Sequence, residues 1–325
     1  MNERRKLVIA LGAGAVVAPF GSTAQQQPYP VKPIRVIVTA APGGTDDFQG
    51  RLIAQGLTEV FGQQVIVENR PGGVAMIGRE FVARAVPDGY TLLLGGSSLG
   101  TVPALRPSSK LDVLRDFTPI SQISNYPLLL VVHPSVPAKS VKELIALTRV
   151  NPGKLNFGSS GAGQSPHLAA ELFKSIAKVD IVHIPYQGSA PAYVDIMSGR
   201  IDMIFGVIAA AIQQVRAGKV RPLGVTASMR VAVLPDVPTI AEAALPGYEY
   251  PSWMAVFGPT GLPRDAVTRL NGAIQKTMLA TETRKRMLQV GLEPETNTPE
   301  QLAEKLKNDV GRLGKIIREA GIKIE

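Results

Sequence analysis

The stretch Ile34-Arg35-Val36-Ile37-Val38-Thr39-Ala40-Ala41-Pro42-Gly43-Gly44-Thr45-Asp46-Asp47 decides how the chain is read. Its first five residues form a near-continuous apolar run, the signature of a strand covered on both faces. Small residues and two glycines follow, and helical spacing then runs through Leu52, Ile53, Leu57, Val60 and Phe61. Strand, glycine loop and helix in that order predict a βα unit whose loop backbone can approach a ligand. A simple turn with an Asp N-cap would leave the same trace. The glycine spacing fits neither G-x-G-x-x-G nor a P-loop, so no dinucleotide or nucleoside triphosphate is indicated.

Working outward, similar apolar runs occur at Val65–Val67, Leu92–Leu94, Leu128–Val132, Ile181–Ile184 and Met203–Phe205. They predict further buried strands and favour parallel sheets flanked by helices. Ser140…Glu143 and Thr239…Glu242 fit the capping box, and Thr298-Pro299-Glu300-Gln301 adds proline at a first helical position. Leu302, Leu306, Val310, Leu313 and Ile317 line one face of a final helix, as Val267, Leu270, Ile274 and Met278 do for an earlier one.

The β-α-β-α alternation occurs over about 34–95 and again over about 155–226. Tyr126-Pro127 before Leu128–His133, and Pro251-Ser252-Trp253 before Met254–Pro259, are extended segments beside a proline. The expected architecture is α/β with two lobes joined by two hinge-crossing strands: 25–125 plus 251–325 as the first lobe, 126–250 as the second. Ligands of open α/β sheets bind at the carboxyl ends of strands, which directs attention to the interlobe cleft.

The 325 residues are 45% hydrophobic and 19% charged, enough for two cores, with no disorder, coiled-coil or collagen signature. There is no cysteine, and His133, His167 and His183 stand too far apart for a local ligand motif, so no metal or cofactor is expected. Residues 1–24 read as an export signal: basic Arg4-Arg5-Lys6, an apolar stretch Leu7–Phe20, then Ser22-Thr23-Ala24 for cleavage near Ala24. That stretch is too short for a bilayer core of about 30 Å. The Arg4-Arg5 pair is compatible with either the Sec or the twin-arginine route. The formal charge is +9, and removing the signal leaves 32 basic against 25 acidic residues. No aromatic-interleaved basic stripe exists, so no nucleic acid partner is expected.

Two more loops resemble the first. Leu155–Phe157 runs into Gly158-Ser159-Ser160-Gly161-Ala162-Gly163-Gln164-Ser165-Pro166-His167, and Gly95-Gly96-Ser97-Ser98 follows the third strand. A helix start carries unpaired N–H donors and positive partial charge, which suits a small anion without any arginine. No catalytic set assembles. There is no G-x-S-x-G elbow, Asp46 and Asp47 are too close in sequence to act as a glycosidase pair, and His167 is expected to bond a nearby loop carbonyl. His133 and His183 read as structural.

Further motifs resemble one family across the mature chain. These are Tyr29-Pro30-x-Lys32-Pro33-Ile34-Arg35, Ala41-Pro42-Gly43-Gly44 with Asp47 and Arg51, Val67-Glu68-Asn69-Arg70-Pro71-Gly72, Pro87-Asp88-Gly89-Tyr90, His183-Ile184-Pro185-Tyr186-Gln187-Gly188 and Leu234-Pro235-Asp236-Val237-Pro238. The chain resembles the extracytoplasmic solute receptors of tripartite tricarboxylate transporters, the Bug receptors. The resemblance implies a type II periplasmic binding protein of Venus-flytrap form, a monomer with no enzymatic activity. It would capture an organic carboxylate and pass it to two transporter membrane subunits.

The resemblance also implies that Pro42, Gly43, Gly44, Asp47, Ser97 and Ser98 of the first lobe contact the ligand. From the second it implies Ser159, Ser160, Gly161, Ser165, His167, Tyr186, Gln187, Gly188 and Phe205. Three positions depart from the family pattern: Gly206 where an Asp is common, Val102 where an Asn is common, and Leu111-Asp112-Val113 for Tyr-Asp-Pro. If they line the cleft, it is roomier and less polar, suiting an acid with an apolar body. Asp46 beside Asp47 adds negative charge that favours a ligand amine or amide. Two alternatives are a sensor that presents its closed form to a membrane kinase, and an exported hydrolase using His167 and a loop serine.

Overall fold

The computed structural model describes residues 29–319 and 321–322, so the expected export signal lies outside the described residues. Among the described residues eleven strands form two sheets. The first contains β1 (Ile34–Val38), β2 (Val65–Asn69), β3 (Thr91–Gly96), β4 (Phe117–Asn125), β10 (Trp253–Pro259) and β11 (Glu293–Pro294). The second contains β5 (Leu128–Val132), β6 (Asn156–Ser159), β7 (Val182–Pro185), β8 (Met203–Val207) and β9 (Arg221–Val225). Their orders are β11-β4-β10-β3-β1-β2 and β7-β6-β8-β5-β9. The chain is α/β and two-lobed, one sheet to each lobe.

Parallel sheets were expected, but both are mixed. β10 runs antiparallel to β3 and β4, and β5 runs antiparallel to β8 and β9. Both β5 and β10 are buried along their whole length because helices cover both faces, and an apolar run carries no information about strand direction. β2 and β7 are sheet edges, which leaves Ile66 and Val182 over 40% exposed despite their apolar sequences.

The capping motifs form as read. Ser140 accepts from the Glu143 N–H, Thr239 and Glu242 make a reciprocal box, and Thr298 and Gln301 bond each other's backbone N–H groups. The helix Pro299–Glu319 buries Leu302, Leu306, Leu313 and Ile317. It packs on the first lobe, where the Trp253 indole donates to Asp309 at 2.7 Å.

β5 and β10 lie inside the sheets, and short links make the crossings. One link is Tyr126-Pro127, between β4 and β5. The other leads through Tyr250-Pro251-Ser252 into β10. They run side by side, with the Tyr126 N–H donating to the Ser252 carbonyl at 2.9 Å. Thr226 ties them together. Its N–H donates to the Leu128 carbonyl, its Oγ1 accepts from the Leu128 N–H at 2.9 Å, and its hydroxyl donates to the Tyr250 carbonyl at 3.2 Å. With no solvent access at Thr226, a lost partner cannot be replaced by water. Thr226→Val keeps the shape and removes both side-chain bonds. It is expected to lower unfolding free energy by about 1–3 kcal/mol, read from urea denaturation at constant m-value.

Candidate functional site

The carboxyl ends of β1, β3, β6, β7 and β8 face one another across a cavity of about 550 Å³ between the two sheets. Five helices begin at its wall. Their N-cap residues are Gly44, Ala75, Gln164, Gly188 and Val207, and none of these helix starts is bonded by a capping side chain. Away from the cavity the starts are mixed: those at Val141 and Ile240 carry side-chain caps, whereas those at Arg264 and Thr281 do not. Each uncapped start presents free N–H groups and roughly half a positive charge, so the cavity is prepared for an anion.

The cleft is shut. Ser97 Oγ of the first lobe lies 3.1 Å from Ser165 Oγ of the second. A Cβ built on Gly44 would stand 3.4 Å from Ser189 Oγ, so the opposing loops are in contact.

Of the residues nominated from sequence, Pro42, Gly44, Ser98, Ser159, Ser160, Gly161, Ser165, Tyr186, Gln187 and Gly188 line the cavity. Gly43, Asp47, Ser97, His167 and Phe205 do not. Asp47 is 4% exposed and accepts from the Gly43 N–H at 3.0 Å, Arg51 at 2.9 Å and Asn69 at 3.0 Å. Burial opposes its ionisation, but the bonds from Arg51, Gly43 and Asn69 outweigh burial and hold its pKa below the usual carboxylate value. Its role is to pin the loop. Phe205 is fully buried against Phe173, with ring centres 5.5 Å apart, while Ile204 and Gly206 face the cavity. Strand alternation decides this, because neighbouring side chains point to opposite faces.

His167 is 5% exposed and stacks on His183 at 3.8 Å. Its Nδ1 accepts from the Gly163 N–H at 2.9 Å instead of donating to a carbonyl as expected. Its pKa falls to about 3, through burial first and then the neighbouring His183 and Lys174. Burial and Lys174 lower His183 to about 4. The loop serine that meets an imidazole is Ser159, 2.7 Å from His183 Nε2, not a partner of His167. Ser159 has no solvent access, and a base with pKa near 4 is a poor match for proton abstraction at neutral pH. No group of three or more metal-ligating side chains occurs among the described residues, nor any helix long and apolar enough to cross a membrane.

The expected extra room at Gly206 is filled. A Cβ there would stand 1.9 Å from the Tyr193 hydroxyl, which occupies the space. Val102 is 2% exposed in the core beside Val113, and Asp112 caps a surface turn through Leu114 and Arg115, so neither shapes the cavity.

Three features escaped the sequence reading. Arg79, from the helix Met76–Ala83, is 3% exposed, donates to Ser98 Oγ at 2.7 Å and lines the cavity. Burial lowers its pKa to about 10 against the pull of Asp46. It stands three residues before buried Val82, a spacing that puts both on one helix face and could have revealed it. Arg106 also lines the cavity, with its Nε unpaired. The cavity is therefore not free of guanidinium groups, as the loops alone implied. The third is Gly72-Gly73-Val74-Ala75, four successive residues with positive φ at the cavity wall. For β-branched Val74 that conformation is strained, and such strain gathers at ligand-facing segments.

An interlobe cavity built from strand ends and helix starts defines a two-lobed solute-binding protein. The chain belongs to the tripartite tricarboxylate transporter receptor family, whose profile matches residues 50–322. It is 33% identical to BugT of Bordetella pertussis over 327 residues, covering all of both chains. It is 38% identical to a protein encoded in the tcbD–tcbE intergenic region of a Pseudomonas species, over 98% of this chain and 95% of that one. Among solved structures, an R. palustris protein with adipate superposes at TM-score 0.88 and 35% identity, over 91% of this chain and all of that one. MatC from Rhodopseudomonas palustris with bound malate superposes at 0.85 and 30%, over 89% of this chain and all of that one.

Both stacked imidazoles are neutral in the fold but take up protons below about pH 6.5 in the unfolded chain. The unfolded state then binds more protons, so these groups make stability fall as pH drops from about 6.5 towards 4. His183→Gln should flatten that slope, measured as urea midpoints at pH 7 and pH 5. An unchanged slope would contradict the assignment.

Proposed function

We propose that the protein is a periplasmic receptor that closes its two lobes over a small organic carboxylate and delivers it to a tripartite tricarboxylate-type transporter. The observation that carries this reading is the convergence of uncapped helix starts from both lobes on one shut cavity. Such donors offer ground-state complementarity to carboxylate oxygens, and the absence of a poised base among Ser159, His167 and His183 supports binding without chemistry. The adipate and malate carried by similar proteins support the ligand class. On this reading residues 1–24 direct export and leave the mature chain near Ala24, and the receptor acts as a monomer.

The walls support a ligand with an apolar body. Leu94, Ile204, Val207 and Met254 line the cavity between its polar ends. Ligand contacts in both lobes exist only when the cleft is shut, so binding energy shifts the population towards closure.

A thermal-shift screen against a carboxylate library tests the reading. A ligand at about 100 times its dissociation constant adds roughly 2.7 kcal/mol of stability. Failure of every acid to raise the melting temperature would defeat it. Ser97→Ala removes a bond made across the closed cleft and is expected to weaken binding of the best acid by about fivefold, from a loss near 1 kcal/mol, read by calorimetry.

A further inference from the structure

The charged side chains lining the cavity among the described residues are Asp46, Arg79 and Arg106, all from the first lobe. Asp46 and Arg79 attract each other through space, yet no direct ion pair joins them. Arg79 is held instead by Ser98 Oγ. Asp46, in the first turn of the helix Thr45–Phe61, takes no hydrogen bond from a described residue. Next to it, buried Thr45 Oγ1 also lacks a partner.

An arginine and a carboxylate free to meet usually close into a bidentate pair. Arg79 is buried and Asp46 partly buried at the cavity wall, and leaving the two ions apart there is costly unless something else satisfies them. Burial accordingly raises the Asp46 pKa to about 6 against the attraction of Arg79. Bonds from Gly43, Arg51 and Asn69 to Asp47 fix the loop that carries Asp46, and Ser98 engages the Arg79 guanidinium. A ligand entering between them meets a donor fork on one side and an acceptor on the other. A second ligand carboxylate placed at Asp46 would face a like charge; Arg79 is the cation that acts on Asp46, and Arg106, the other cation of the wall, does not.

We propose that Asp46 and Arg79 form a split charge pair that selects a carboxylate also bearing an N–H donor, as an ammonium or amide, over the dicarboxylate of the same length. Arg79 takes the carboxylate, and Asp46 accepts from the nitrogen. The proposal rests on the carboxylate-receptor reading and deepens it. It makes the cavity selective through rejection as well as attraction.

The test is calorimetric titration of the full mature chain with two matched trios. The first is adipate, its monoamide and 6-aminohexanoate. The second is isophthalate, 3-carbamoylbenzoate and 3-(aminomethyl)benzoate. The N–H-bearing members are expected to bind at least about tenfold more tightly than the diacid of their trio, the size of one charge-assisted hydrogen bond. Asp46→Asn, a near-isosteric change at an unpartnered side chain, should erase that preference by improving diacid binding. Arg79→Gln should weaken every member that binds. A diacid that binds as tightly as its N–H-bearing partners, or an unaltered ranking in Asp46→Asn, would overturn the split pair while leaving the receptor reading intact. Acids elsewhere in the library binding when neither trio does would likewise overturn it. No binding by any acid would remove the receptor reading, and the inference with it.

Discussion

Main-chain N–H groups at five helix starts have no capping side chain, and the cavity is organised around that deficit. A helix start left without a cap forfeits stability of order 1 kcal/mol. Uncapped starts also occur away from the cleft, at Arg264 and Thr281; what sets the cleft apart is that five of them, from both lobes, converge on one cavity. Such donors suit a bound acid, and the strained φ of Val74 and Ala75 at the same wall is a second stability cost accepted there.

Much of the fold was legible because it depends on local pattern. Apolar runs located β1, β3, β5 and β8 as buried strands and β2 and β7 as strands that prove to be exposed edges, but not β4 or β9. Prolines at 127 and 251 marked the crossings, and capping boxes placed helix starts where they form. The antiparallel course of β5 and β10 was hidden, since burial on both faces looks the same in either direction. The Thr226 tie was hidden too, as a threonine bonding residues 24 and 98 positions away leaves no periodic trace.

The site was legible at the level of loops and less so at the level of side chains. Glycine and serine loops reached the cavity, but Asp47 and Ser159 turn inward to hold those loops in shape. Phe205 failed on parity, because one step along a strand moves a side chain to the other face. Gly206 shows the deeper limit. A vacancy inferred from a missing side chain was taken up by Tyr193, thirteen residues earlier, and only packing in space could reveal it. Arg79 lay outside every loop considered and reaches the cavity from the body of a helix.

Asp46 and Asp47 are neighbours with opposite duties. The second is spent on Gly43, Arg51 and Asn69, while the first has no part in holding the backbone. On the split-pair proposal, folding and discrimination are written in separate letters of the same loop. A single codon change at position 46 could redirect what the receptor accepts without loosening its frame, giving natural variation a route to new cargo that bypasses the hazard of misfolding.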